Sequence, residues 1–261
     1  MAKFVYADNA ATTPVSREVI DAMLPCFSEN WGNPSSLHAK GREAKDILDE
    51  ARATVAGVLG CDSSEIYFTS GGTESDNWAI KGAAMRMRSK GRTHIVTSAI
   101  EHHAVLHTCK ALEKEGFTVS YVGVDADGVI DLEELARAVN DKTALVSVMY
   151  ANNEVGTIQP IREIVKICKE RKVPTFTDAV QAMGVIDIDV NELGVDMMSF
   201  SAHKFGGPKG IGALYIKTGM RIDRLISGGH QERTRRGGTT NVAGMVGFAE
   251  ALKIAKAERD T

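Results

Sequence analysis

The chain has 261 residues, 43% of them hydrophobic and 25% charged, which is an ordinary balance for a water-soluble globular protein with a sizeable core. A formal net charge of −3 gives no electrostatic grounds for binding nucleic acid or an anionic membrane. No apolar run is long enough to cross a bilayer, and the N-terminus lacks a signal-peptide pattern. Cys26, Cys61, Cys109 and Cys168 are widely spaced, so a cytoplasmic protein with reduced thiols is expected, with neither a disulfide frame nor a metal knuckle.

Helical patterns near 16–29 and 36–58 come first and are expected to pack outside the sheet. Short apolar runs then predict strands at Glu65 to Thr69, His94 to Ser98, Thr118 to Val122, Ala144 to Met149, Thr175 to Thr177, Met197 to Phe200 and Gly212 to Ile216. Between them lie helical patterns near 73–90, 102–115, 131–140 and 160–172. This alternation predicts an α/β fold: a mostly parallel seven-stranded sheet with helices on both faces. The last strand follows its predecessor after a Gly-rich link too short for a helical crossover, so it is expected to pair antiparallel. One long helix is expected from Asn241 to Arg259.

The chemistry-bearing motifs follow predicted strands, where open parallel sheets bind ligands. Thr69-Ser70-Gly71-Gly72-Thr73-Glu74-Ser75 suits a phosphate at a helix N-terminus, although Thr73 as a simple N-cap explains it too. Glu101-His102-His103 places a histidine where it can stack on a flat heteroaromatic ring. His103 and His107 share an i, i+4 spacing but lack a matching carboxylate or cysteine, so no metal is expected. Asn152-Asn153-Glu154 offers an amide to a phenolate oxygen or a carboxylate, or serves only as a turn. Thr177-Asp178-Ala179-Val180-Gln181 supplies an aspartate suited to a protonated pyridine nitrogen, or merely a cap.

Ser199-Phe200-Ser201-Ala202-His203-Lys204, followed by a glycine-rich turn, is the most informative stretch. A lysine amine can form a Schiff base with an aldehyde cofactor, and neighbouring hydroxyl and imidazole groups can hold its phosphate. Finally, the arginines of Glu232 to Asn241 suit carboxylate or phosphate recognition, or form a solvated basic loop.

Together with Ala10-Ala11-Thr12-Thr13-Pro14 and Gly32-Asn33-Pro34-Ser35-Ser36-x-His38, this ordered series resembles the cysteine desulfurases of the NifS/IscS type. These are pyridoxal-phosphate enzymes of the class V aminotransferase group. The resemblance spans essentially the whole chain and implies the large domain of fold type I of the pyridoxal-phosphate transferases. It implies an N-terminal segment at 1–14, a cofactor-binding domain at 15–240 and the start of a helix leading to a small domain at 241–261. By the same resemblance Lys204 would carry the cofactor and move protons, Asp178 would pair with the ring nitrogen, and His102 would stack on the ring. Gln181 and Asn153 would contact the ring oxygen or the substrate, while Gly72, Thr73, Ser201 and His203 would hold the phosphate. Thr239, after Arg236-Gly237-Gly238, would reach the phosphate of a partner subunit in a homodimer, and Arg236 and Asn153 would bind substrate.

The implied reaction takes sulfur from L-cysteine, leaves alanine, and passes the sulfur to an iron–sulfur scaffold or another acceptor protein. The family's persulfide cysteine and small domain lie beyond the region this chain matches, and none of the four cysteines takes that nucleophile's place. A form lacking that cysteine is therefore expected. A selenocysteine lyase or another class V enzyme, and a non-catalytic cofactor-binding fragment, are the alternatives.

Overall fold

The computed structural model describes residues 5–259, so the extreme ends of the segments expected at 1–14 and 241–261 lie outside the described residues. Helices α1 (Arg17–Met23), α2 (Pro25–Ser28) and α3 (Ala39–Leu59) precede the sheet. Strand and helix then alternate: β1 (Ile66–Thr69), α4 (Gly72–Arg88), β2 (His94–Ser98), α5 (His103–Lys114), β3 (Thr118–Val122), α6 (Leu132–Ala138) and β4 (Thr143–Ser147). The chain continues through α7 (Ile161–Glu170), β5 (Thr175–Asp178), α8 (Val190–Leu193), β6 (Met197–Ser201), β7 (Gly212–Ile216) and α9 (Val242–Arg259).

Among the described residues the strands form one sheet in the order β1-β7-β6-β5-β4-β2-β3. Strands β2 to β6 pair in parallel, and β7 lies antiparallel to both β6 and β1. Strand β1 therefore points the same way as β6, and the single reversed strand is the one expected from its short link. The segment expected as one helix over 16–29 is two, because Pro25 starts α2 at a position where its missing N–H costs nothing. The first-expected strand end near Met149 falls at Ser147, although Val148 and Tyr150 still donate to carbonyls of β5.

Alternate strand residues feed two apolar clusters, one on each face of the sheet. Tyr67, Ile95, Leu145, Phe176, Met197 and Leu214 pack with α4 and α5. Phe68, Val96, Val146, Met198, Phe200 and Tyr215 pack under α3, α7 and α9. The early helices lie outside the sheet as expected: α3 forms part of the layer covering one face, and α1 packs against α9.

Two buried polar contacts tie loops to this frame. Arg52 of α3 donates to both carboxylate oxygens of Glu232 at 2.8 and 2.7 Å, and Phe68 N–H of β1 donates to the same carboxylate at 3.0 Å. Glu232, Arg233 and Thr234 all have positive φ (43°, 55° and 68°), so this pair holds a strained turn in place. Glu101, 5% exposed, accepts from Ser98 Oγ at 2.5 Å and from Met149 N–H at 2.8 Å, joining the ends of β2 and β4. Burial lifts its carboxyl from an ordinary 4.5 to about 8, against the two hydrogen bonds.

Replacing Glu232 by Ala leaves the Arg52 charge buried and unpaired, and urea denaturation is expected to show a loss of about 3–5 kcal/mol. An acid whose folded pKa is raised binds more protons folded than unfolded, so its contribution is lost as pH rises through the folded value. The Glu101 contribution is therefore expected to fall between about pH 4.5 and about pH 8, and Glu101→Gln to remove that component of the pH dependence in denaturation curves measured across the range.

Candidate functional site

Because β1, β2, β4, β5 and β6 all point one way, the loops at their C-terminal ends converge, and the start of α4 joins them. They enclose a cleft of about 480 Å³. Gly72 and Thr73 of α4, His102 at the start of α5, Asn153 after β4, Asp178 and Gln181 after β5, and Ser201, His203 and Lys204 after β6 all line it. Nine of the ten residues expected at the cofactor are thereby brought together; Thr239 is exposed and outside the lining.

At the α4 end the backbone itself is shaped for an anion. Gly71 caps the helix with φ 153° and ψ −179°, a conformation open only to glycine. The first N–H groups of a helix have no intrahelical acceptor and carry the positive end of its dipole. Gly212 of β7 backs this turn so closely that a Cβ there would lie 2.6 Å from both Gly71 Cα and Phe200 O. Ser201 lies alongside, its Oγ 3.8 Å from where a Gly71 Cβ would be.

Lys204 follows β6 in a single 3₁₀ turn, and its Nζ donates to the carbonyls of Ala10 and Ala11. Burial pulls its amine below the ordinary value, opposed by the charges of Asp178 and Asp8. That shift favours the neutral, nucleophilic amine. Gln181 Nε2 donates to the same Ala10 carbonyl at 2.9 Å. Thr13 donates to His203 O through both N–H and Oγ, each at 2.9 Å, so the segment around Ala10 to Thr13 is laced onto the lysine turn. His203 Nδ1 lies 3.1 Å from Thr12 Oγ1, and burial followed by the nearby lysines lowers its pKa.

Asp178, 5% exposed, ends β5 and accepts from Val180 N–H at 2.9 Å. Burial raises its pKa, while that hydrogen bond, the neighbouring His102 and Lys204, and the Ser199 hydroxyl oppose the rise. His102 caps α5: its Nδ1 accepts from Ala104 N–H at 3.1 Å, which fixes that nitrogen as the acceptor. The two asparagines divide their work. Asn152 makes the turn, accepting from Glu154 and Val155 N–H at 2.9 and 3.0 Å, and Asn153 reaches the cleft.

The arginine loop is used differently from the expectation. Arg236 grips Glu74 with Nε at 2.8 Å and Nη2 at 2.9 Å, so its fork is filled by a carboxylate of the chain itself and it does not line the cleft. Arg233 donates to Ser64 O and Ile66 O, and Arg233 and Arg235 lie over the Tyr67 ring at 4.3 and 5.3 Å. Asp76, absent from the expected set, also lines the cleft. Its only sequence signal was a position one helical turn after Thr73, on the same face of α4. None of the four cysteines lines the cleft; burial pushes Cys61, Cys109 and Cys168 up to about 12 and raises Cys26 as well.

Comparison with known proteins matches this architecture. The chain is 57% identical over 256 residues to a protein named Cysteine desulfurase IscS from Methanosarcina thermophila, covering 98% of this chain and 63% of that protein. A Cysteine desulfurase IscS from Clostridium botulinum is 53% identical, with 98% and 64% covered. The chain therefore spans just under two thirds of the length of these relatives. Among solved structures, a NifS-like protein superposes with a TM-score of 0.96 at 49% identity, covering 98% of this chain and 70% of that one. A structure of SspA in complex with cysteine superposes at 0.92 with 42% identity, covering 95% and 72%. The Aminotransferase class-V profile matches residues 5–260. With its sheet, its cleft and this match in agreement, the chain belongs to the class V aminotransferases, a pyridoxal-phosphate-dependent family.

Proposed function

We propose that the cleft binds pyridoxal phosphate and activates L-cysteine for sulfur transfer, as in a cysteine desulfurase. The observation that carries this reading is the pairing, in one cleft, of a desolvated lysine amine after β6 with a buried carboxylate at the end of β5. The residues fit a flat, phosphorylated aldehyde with a basic ring nitrogen. Asp178 accepts one backbone hydrogen bond and, among the described residues, no side-chain cation is bonded to it, so a protonated heterocycle would satisfy its charge. The glycine turn at α4, with Thr73, Ser201 and His203, would hold the phosphate. The relatives' name and the cysteine-bound SspA structure favour cysteine as the amino acid.

Bound there, the cofactor supplies an electron sink for charge developing at the substrate α-carbon. The chain's own residues do the rest. Lys204 would hold the aldehyde carbon and move the α-proton, and Asp178 would keep the ring nitrogen protonated. His102 would stack on the ring, while Gln181 and Asn153 would orient the ring oxygen and substrate. Exposed Thr239 would reach a second subunit's phosphate in a homodimer. Sulfur transfer needs a thiolate, and the four cysteines here are protonated at neutral pH and away from the cleft. The acceptor is therefore a thiol other than these four, which becomes a persulfide as cysteine becomes alanine. Delivery to an iron–sulfur scaffold belongs to this same reading.

Incubation with pyridoxal phosphate followed by borohydride is expected to give a covalent adduct that peptide mass spectrometry places on Lys204. Loss of the adduct in Lys204→Ala supports the assignment, and an adduct elsewhere with Lys204 unmodified overturns it. Adding cysteine is expected to perturb the bound-cofactor spectrum equally in the chain and in a variant with all four cysteines changed to serine. Gly212→Ala is expected to push the Gly71 turn out of place and weaken cofactor binding by on the order of tenfold, about 1.4 kcal/mol, in a fluorescence titration.

A further inference from the structure

Behind Asp178 the structure holds a second buried carboxylate that the expected site did not include. Asp76, on the first turns of α4, is 1% exposed. Carboxylate oxygens of Asp76 and Asp178 and a ring nitrogen of His102 all lie within 4.8 Å of one another. Asp76 Oδ1 accepts from Ser199 Oγ at 2.6 Å, and Ser199 is the register partner of Asp178 on β6. Two carboxylates this close, both removed from water, do not both ionise; the pair retains a proton. The surroundings decide which member keeps it. Asp178 has a backbone N–H donor, and the Lys204 amine and His102 imidazole beside it favour its ionised form. Asp76 has a single neutral hydroxyl and faces the carboxylate of Asp178. Burial, followed by Asp178, holds the Asp76 carboxyl well above the usual range.

We propose that Asp76 is a positioning residue: a neutral carboxylic acid that retains the proton of the Asp76–Asp178 pair and leaves the negative charge on Asp178. Its service is to keep the buried wall of the cleft at one negative charge while filling the space beside Asp178 with a polar group. The charge is then concentrated at the end of β5, where Val180 N–H orients it. The proposal concerns the chain's own protons and is read on protein without cofactor, so it stands or falls separately from the pyridoxal-phosphate assignment.

Infrared difference spectroscopy of the full chain, with ¹³C-labelled aspartate to separate these bands from Glu101, tests it. At pH 7 a protonated aspartic acid C=O stretch is expected in the unaltered chain and is expected to be lost in Asp76→Asn. In Asp178→Asn the band is expected to survive at low pH but to titrate away about one pH unit earlier, because the repelling neighbour is gone. Ser199→Ala removes the hydroxyl bonded to Asp76 Oδ1, so the band is expected to move in frequency and to persist to higher pH; if Asp76→Asn does not fold, a band that keeps its frequency in Ser199→Ala overturns the proposal. A chain with no protonated aspartate at pH 7 overturns the proposal. So does a band that persists in Asp76→Asn and vanishes in Asp178→Asn, since the proton would then sit on Asp178.

Discussion

The common direction of β1, β2, β4, β5 and β6 is the constraint on which the rest of the structure depends. Parallel strands need crossover connections, and the crossovers put every loop that carries a reactive side chain at one edge of the sheet. The single exception serves the same end. Strand β7 enters between β1 and β6 from the opposite direction, and its first residue, Gly212, pairs with both Thr69 and Ser201. The lack of a side chain there lets the Gly71 turn and the Ser201 strand end close on one another.

Desolvation then sets the electrostatics. Asp76 and Asp178 line the cleft, Glu101 lies buried between the ends of β2 and β4, and each carboxyl is pushed upward by burial. On the other side one half-buried lysine is pushed downward. Carboxyls shifted upward beside a lysine shifted toward its neutral amine suit a site that moves protons. The same burial keeps the cysteines protonated, which is why thiol chemistry has no foothold among them.

Two segments remote in sequence from the strand ends pack around the site, the first of them lining it. Residues Ala10 to Thr13 lie across the Lys204 turn, their carbonyls accepting from Lys204 and Gln181. The loop from Glu232 to Arg236 is fastened by Arg52 on one side and Glu74 on the other, and Glu74 in turn accepts from Ser70 N–H at the phosphate-shaped turn. Its arginines looked like ligand receptors because a guanidinium fork suits any carboxylate. In the folded chain Glu74, two backbone carbonyls and the Tyr67 ring occupy them.

The sequence alone determined the alternation of strands and helices, the reversal of β7 and the gathering of nine cleft residues. Each is written in local terms: apolar period, link length and a motif just after a strand. The break at Pro25 is equally local, but the amphipathic pattern runs through it without interruption. Tertiary structure alone decided the partnerships between distant positions: Arg236 with Glu74, Arg52 with Glu232, and Asp76 with Ser199 and Asp178. An isolated charge in a sequence carries no sign of its burial or its neighbour. Those two quantities fix its proton and its partner, and they exist only once the chain has closed around it.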